Sequence, residues 1–242
     1  MQTNNMTKPH TIATVCARGG SKGLPRKNVL DFAGKPLIAH SIEHARACPQ
    51  IDGVYVSTDD NEIADIARQY GAIVPYRRPA ELASDNAGKL SVIEHLLRYL
   101  ESDGMVIDRI VDLQPTSPLR IPQDISQALE LSLLPCDLVV TVERASHHPS
   151  YTLVYAGNDG LVHLVSPMSV NVERRQNLSE VLGLNGSIYI WQRAALTKAC
   201  KDGFWCNRIR AYVMPRERSV DIDDLFDFEL ALWLFQRQKV KV

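Results

Sequence analysis

The sequence lacks most of the features that mark the easily read classes of protein. Its formal net charge is −1, too little for a nonspecific nucleic-acid coat or a polybasic membrane anchor. Five cysteines (Cys16, Cys48, Cys136, Cys200, Cys206) form no CxxC pair and are odd in number. A disulfide framework is therefore not indicated, and reduced thiols in the cytoplasm are expected. No apolar run approaches the roughly 20 residues that span a bilayer, and residues 1–10 are polar, unlike a secretory leader. The seven histidines show no HExxH or comparable ligand spacing. There is no internal repeat, linker or low-complexity segment. Neither standard phosphate motif occurs: Gly19 and Gly20 are adjacent, which breaks GxGxxG, and GxxxxGK followed by Ser or Thr has no match.

What is present fits one α/β domain over 1–242. Hydrophobic residues make up 45%, enough for a full core. Apolar runs rich in β-branched residues alternate with helical periods, the pattern of a mostly parallel sheet with helices on both faces. Strands are expected at Ile12–Cys16, Val54–Ser57, Arg109–Leu113, Leu138–Val142, Ser187–Trp191 and Ile209–Met214. Pro36 suits a first helical residue, with Leu37, Ile38, Ser41, Ile42 and Ala45 along one face. Asp59 and Glu62 suggest a capping box for a helix that closes at Gly71. Helices are also expected around Leu90–Leu100, from Pro122, and from about Asp224 with Leu225, Phe228, Leu232 and Phe235 as its stripe. The alternation breaks once. Thr152–Tyr155 and Leu161–Val165 flank Gly157-Asn158-Asp159-Gly160, a hairpin signal, so an antiparallel arm is inserted at about 145–185.

The charges nearly balance overall, but they are unevenly spread. Directly after the first strand, Arg18, Lys22, Arg26, Lys27 and Lys35 stand against the single acid Asp31. Gly19, Gly20 and Gly23 there allow close backbone approach to an anion. Arg18 can grip phosphate oxygens bidentately, with Lys22 and Lys27 as point charges. A solvated basic loop is the plainer alternative, but open α/β sheets bind ligands at this edge. In Ser219-Val220-Asp221-Ile222-Asp223-Asp224, an extended backbone turns Asp221 and Asp223 the same way. That suits Mg²⁺ held by two carboxylates and substrate phosphates. Helix capping accounts for Asp224 and Asp227 but not for the alternation before them. Arg174-Arg175-Gln176 fits an acidic polyhydroxylated ligand or a surface patch, and Gln114, Thr116 and Ser117 fit a ligand edge or a turn.

These segments together resemble the CMP-sialic acid synthetase (acylneuraminate or nonulosonate cytidylyltransferase) family. The resemblance runs in order through Ala17-Arg18-Gly19-Gly20-Ser21-Lys22-Gly23 with Lys27-Asn28, Val56-Ser57-Thr58-Asp59 and Arg78-Pro79-Ala80-Glu81-Leu82-Ala83 with Asp85. It continues through Leu113-Gln114-Pro115-Thr116-Ser117-Pro118-Leu119-Arg120, Arg174-Arg175-Gln176, Asn185-Gly186-Ser187-Ile188-Tyr189-Ile190 and Ser219-Val220-Asp221-Ile222-Asp223. It implies a Rossmann-like nucleotide-binding fold, a homodimer formed through the arm, and CTP and a nonulosonic acid as substrates. Arg18, Gly19, Gly20, Ser21, Lys22, Lys27, Asn28 and Arg78 would bind the nucleotide. Gln114, Thr116, Ser117, Arg175, Gln176, Asn185 and Tyr189 would bind the sugar acid, with Arg175 on its carboxylate and Phe204-Trp205 reaching it across the dimer. Asp221 and Asp223 would hold Mg²⁺ and, with Arg18 and Lys27, carry catalysis. Cys16 and Lys89 depart from many sialic acid enzymes and resemble those that activate legionaminic-type sugars. The esterase-like domain of some relatives is not expected after the last helix.

Two other classes fit parts of the pattern. A nucleotide-sugar-dependent glycosyltransferase could use Asp59-Asp60 as its acidic pair, but would leave the basic loop unexplained. A non-catalytic nucleotide-binding regulator should lack one of the charged groups, and none is missing.

Overall fold

The computed structural model describes residues 10–167 and 179–240. Its strands are β1 (Thr11–Cys16), β2 (Asp31–Phe32), β3 (Lys35–Pro36), β4 (Gly53–Ser57), β5 (Arg109–Leu113), β6 (Leu138–Arg144), β7 (Val154–Ala156), β8 (Val162–Leu164), β9 (Leu182–Gln192) and β10 (Ile209–Val213). Its helices are α1 (Leu37–Arg46), α2 (Asn61–Gln69), α3 (Lys89–Ser102), α4 (Pro122–Leu131), α5 (Arg193–Asp202) and α6 (Leu225–Val240). The main sheet has six strands in the order β10-β6-β9-β5-β1-β4. All pairings are parallel except those of β9, which runs antiparallel to both β5 and β6.

Strand alternation sends successive side chains to opposite faces, and both faces are covered. Ala13, Val15, Val54, Val56, Val111, Val139 and Ile190 meet Ile38 and Ile42 of α1, Ile63 and Ala67 of α2, and Ile125 and Leu129 of α4. Their neighbours Ile12, Tyr55, Ile110, Leu138 and Trp191 meet Ile93, Leu96 and Leu97 of α3 and Leu196 of α5. Leu96 and Leu97 are fully buried, so truncating either to alanine costs about 2–5 kcal/mol. At the ligand edge, Phe228, Leu232 and Phe235 of α6 pack on Phe32, Leu37, Leu119 and Ile222. That packing fixes Ile222, and therefore its neighbours Asp221 and Asp223, relative to the loop after β1.

The expected hairpin is present: β7 and β8 pair antiparallel across the Gly157–Gly160 turn. Several local expectations need correction. Asp60, not Asp59, caps α2, accepting the Ile63 N–H at 3.0 Å. Pro36 ends β3 and precedes the first residue of α1. Leu225 is exposed and takes no part in the α6 stripe. Helix α5 and the short β2–β3 pair were not foreseen, and β9 begins at Leu182, well before Ser187.

The early start of β9 has a local consequence. A step from Val140 to Val142 on β6 faces a step from Tyr189 to Leu184 on β9, so the chain bulges at Asn185-Gly186-Ser187. Gly186 has φ +71, a conformation that suits glycine. Thr141 Oγ1 staples the bulge, donating to Asn185 Oδ1 at 2.6 Å and accepting from the Ile188 N–H at 2.9 Å. Bulges re-aim the chain beside functional sites, and this one lies against Gln114.

Candidate active site

The loop leaving β1 is held from below by the start of α2. Gly19 donates its N–H to Asp59 Oδ1 at 3.2 Å, and a Cβ on Gly19 would stand 2.7 Å from Asp60 Oδ2. Asp60 also pairs with Arg26 at 2.5 Å, and Arg26 reaches Glu62 with its second amino group. These contacts anchor Arg26 in the left-handed region, φ 59, which is unfavourable for a side-chain-bearing residue. Asp59 and Asp60 are thus occupied in shaping the basic loop. This explains the segment that a glycosyltransferase reading would have needed as its acidic pair.

Above that base, the loop's cations face two acids that come from other parts of the chain. Arg18 and Lys22 converge on Asp85, at 2.8 and 2.6 Å. Lys27 Nζ donates to the Ile222 carbonyl at 2.8 Å and pairs with Asp223 at 3.0 Å. Gly23 lies so close to the same segment that a Cβ there would run into the Asp223 carbonyl oxygen. Asn28 donates to the Arg18 carbonyl at 3.1 Å. Its Oδ1 is buried and without a partner among the described residues.

The opposite wall comes from the end of β5. Gln114 donates its amide to Asp221 Oδ2 at 2.7 Å, and the Thr116 hydroxyl donates to Asp221 Oδ1. Main-chain pairing of the Ile222 N–H to the Thr116 carbonyl at 2.9 Å sets that register. Lys89 Nζ lies 2.6 Å from the buried carboxylate of Asp112, 3.3 Å from Gln114 Oε1 and over the Tyr189 ring at 5.0 Å. Burial opposes the charge of Lys89, but Asp112 overrides it and holds the ammonium above the usual lysine range. Burial, with Asp112 second, pushes the Cys16 thiol up to about 12. Arg78 is buried, donating through Nε to Ser57 Oγ at 3.1 Å and through a second nitrogen to the Ser57 carbonyl.

These walls enclose a cleft of about 530 Å³, within the usual range for small-molecule sites. Of the residues singled out from the sequence, Arg18, Ser21, Lys22, Lys27, Asn28, Arg78, Gln114, Thr116 and Asp223 line it. Asp221 stands behind Gln114 and Thr116. Gly19 sits against Asp60 and Gly20 borders open space. Ser117 and Asn185 are buried away from the cleft, Asn185 donating to Ser219 Oγ at 2.9 Å. Tyr189 is half-buried beneath Lys89. Arg175 and Gln176 lie outside the described residues. Sequence reasoning overlooked Asp112, although an acid inside the apolar run Arg109–Leu113 was a usable signal. It also gave no role to Asp85 or to the buried Arg120.

Among the described residues no group of three or more His, Cys, Asp and Glu side chains could hold a metal by itself. Asp221 and Asp223 offer hard oxygen donors from one short segment, beside the cationic loop. This set fits a divalent ion such as Mg²⁺ that takes its remaining ligands from water and substrate phosphates.

Comparison with known proteins agrees with this geometry. Residues 12–134 match the family described as cytidylyltransferase. A CMP-N,N'-diacetyllegionaminic acid synthase of Legionella pneumophila is 35% identical over 221 residues, covering 90% of this chain and 93% of that protein. A pseudaminic acid cytidylyltransferase of Campylobacter jejuni is 30% identical over 225 residues, covering 93% and 96%. In fold, the chain resembles a CMP:2-keto-3-deoxy-manno-octonic acid synthetase solved with CTP. That match has TM-score 0.69 and 19% identity, covering 95% of this chain and 99% of that one. The chain belongs to the cytidylyltransferase family.

Proposed function

We propose that this enzyme transfers CMP from CTP to the anomeric hydroxyl of a nonulosonic, sialic-acid-like sugar, releasing pyrophosphate. The observation that carries the reading is the cleft itself, where Arg18, Lys22 and Lys27 face Gln114, Thr116 and Asp223. Arg18 and Lys22 would bind the triphosphate, exchanging Asp85 for phosphate oxygens. The orphaned Asn28 Oδ1 is an acceptor ready for a donor of the nucleotide, and Arg78 frames the base end of the cleft. Gln114, Thr116 and the segment of Arg175 and Gln176 would hold the acid. Ser117, Asn185 and Tyr189 support that wall from beneath.

In the reaction the anomeric oxygen attacks the α-phosphorus in line. The bond from that phosphorus to the β-bridging oxygen breaks, and the hydroxyl proton is lost as the new ester forms. Negative charge grows on the phosphoryl oxygens and on the departing pyrophosphate, where the fixed cations Arg18, Lys22 and Lys27 stabilise it. Mg²⁺ held by Asp221 and Asp223 would neutralise phosphate charge and lower the pKa of the attacking hydroxyl. Lys27, bound to the Asp223 carboxylate, keeps that acid beside the triphosphate. Incubating the protein with CTP, Mg²⁺ and candidate acids and measuring pyrophosphate tests the reading. Release that does not depend on an acid acceptor would defeat it.

Within this class, Lys89 and Cys16 favour a legionaminic-type acid over N-acetylneuraminate, and comparing kcat/KM for the two decides it. A tenfold preference for N-acetylneuraminate would overturn the choice. The chain is proposed to be one domain with an arm at 145–185 that pairs two copies. Supporting this, Leu153, Val154, Tyr155, Leu161, Val162 and Val165 of the arm are exposed apolar residues, a patch of the kind that marks association. An active monomer by light scattering would contradict it. No helix among the described residues is long and apolar enough to cross a membrane, and Cys16, Cys48, Cys136 and Cys200 are free thiols. Both features suit a cytoplasmic enzyme, and fractionation of cells would test that placement.

A further inference from the structure

We propose that Arg120 is a positioning residue for the acceptor side of the site, fixing the main chain of Gln114 and through it the Gln114 amide. The inference rests on the functional reading above. Arg120 ends the run Gln114-Pro115-Thr116-Ser117-Pro118-Leu119-Arg120 and is 1% exposed. Its fork is shared among three segments of chain. Nε donates to Ser187 Oγ in the β9 bulge at 2.9 Å, Nη1 donates to Ser41 Oγ on α1 at 3.0 Å, and Nη2 donates to the Gln114 carbonyl. Ser41 Oγ donates to that same carbonyl at 3.1 Å, and the Gln114 N–H donates to the Ser187 carbonyl at 3.1 Å. The backbone of Gln114 is therefore held at both its N–H and its C=O. Its side chain, directly above, bridges Lys89 and Asp221.

The chemistry of the seat argues for a positional purpose. Among the described residues no carboxylate lies within ion-pair distance of Arg120, so its charge is buried with neutral partners only. Burial pulls its guanidinium down to about 9, against the weaker pull of Asp112, Asp124 and Asp221. Burying a charge this way is costly, and an apolar side chain of similar size is often as stable or more so. An apolar residue could not hold one carbonyl and two hydroxyls in a plane, however, and a lysine has no planar fork to span them. What the guanidinium uniquely supplies is the relative position of the β5 exit, α1 and the bulge, which meet at Gln114.

The test uses Arg120→Lys and Ser187→Ala in the full chain, assayed with CTP, Mg²⁺ and either N-acetylneuraminate or N,N'-diacetyllegionaminate. In Arg120→Lys the KM for the acid rises roughly tenfold, the loss expected for hydrogen bonds from a charged donor. The KM for CTP stays at its wild-type value, because the hydrogen bonds of Arg120 go to Ser187, Ser41 and Gln114 and not to the loop from Arg18 to Lys27. Ser187→Ala gives a smaller change in the same direction, and the double variant is no worse than Arg120→Lys alone, because the two share one contact. Equal rises in both KM values, or a lower Tm with both KM values unchanged, would overturn the proposal and leave Arg120 a fold staple. Amide hydrogen exchange reads the same point without substrate. Exchange at 114–117 and 185–188 quickens in Arg120→Lys while β1 stays protected, and unchanged protection at Gln114 would also overturn it. If the wild-type protein turns over neither acid, the functional reading fails, and the exchange data still decide the role of Arg120.

Discussion

The ammonium of Lys27 stands 3.0 Å from the carboxylate of Asp223, a residue 196 positions away in sequence. Its second bond, to the Ile222 carbonyl, seats it on the main chain of the acidic segment as well as on one side chain. Two motifs that are remote in the chain and opposite in charge are thereby one object. The loop that would bind the triphosphate carries its own link to the carboxylates that would hold the metal.

Replacing either carboxylate should break that object without unfolding it. Asp221→Asn and Asp223→Asn each keep the shape of the side chain and remove the charge that Mg²⁺ needs. Turnover is expected to be nearly abolished in both, with far-UV circular dichroism and Tm close to wild type. Wild-type rates at limiting Mg²⁺ in both variants would show that the metal is held elsewhere.

Lys27→Met should cost on the order of 10²–10³ in rate, as for other donors aimed at developing charge. The loss should be the same for every acceptor acid, since the partners of Lys27 lie on the triphosphate side. A defect confined to one sugar would move Lys27 into the acceptor pocket.

Gly23→Ala is a sharper geometric probe. Nothing about its φ demands glycine, but the added methyl would collide with the main-chain oxygen of Asp223, which cannot rotate away. The loop must lift off the acidic segment, so KM for CTP should rise while Tm falls little. Gly183→Ala, on β9 with no atom within 4 Å of the added methyl, is the control. Equal kinetics for the two variants would mean that the close approach at Gly23 has no bearing on the site.

Much of this architecture was legible beforehand, and the omissions share a cause. The β-branched runs at Ile12–Cys16 and Leu138–Val142 and the glycine-bounded turn at 157–160 state their structure locally. The basic loop and the Asp221-Ile222-Asp223 alternation likewise announce chemistry through residue type and spacing. Direction of a strand is not local. Nothing in Ser187–Trp191 says that β9 runs against its neighbours, because that follows from where the arm returns the chain. Asp59 was given the capping role of Asp60 because the two differ by one position, and only the contact with Gly19 distinguishes them. Asn185 and Ser117 carry polar groups that look suited to a ligand, yet they are buried beneath the site. Arg120 was given no role, since burial of a guanidinium leaves no trace in its own sequence.

Acid should weaken the fold through His44. Burial first, then the charges of Arg120, His40 and Lys35, hold its imidazole down at about 3, against an ordinary value near 6.5. Between those limits an unfolded chain takes up a proton that the folded chain refuses, so stability rises with pH there. The contribution is complete above about pH 6.5 and is lost as pH falls toward 3. His44→Gln should therefore lose less Tm than wild type between pH 7 and pH 5. Parallel curves for the two proteins would place the acid sensitivity in other groups.

The central claim is the transfer of a nucleotidyl group, and the fate of labelled phosphate tests it most directly. CTP carrying label at the α or the γ position is incubated with the enzyme, Mg²⁺ and N,N'-diacetyllegionaminate or N-acetylneuraminate. The α label is expected in a phosphodiester joining cytidine to the sugar and the γ label wholly in pyrophosphate, in equal amounts. Transfer of the γ label to the sugar, or an α label that remains in CTP whichever acid is present, would contradict it.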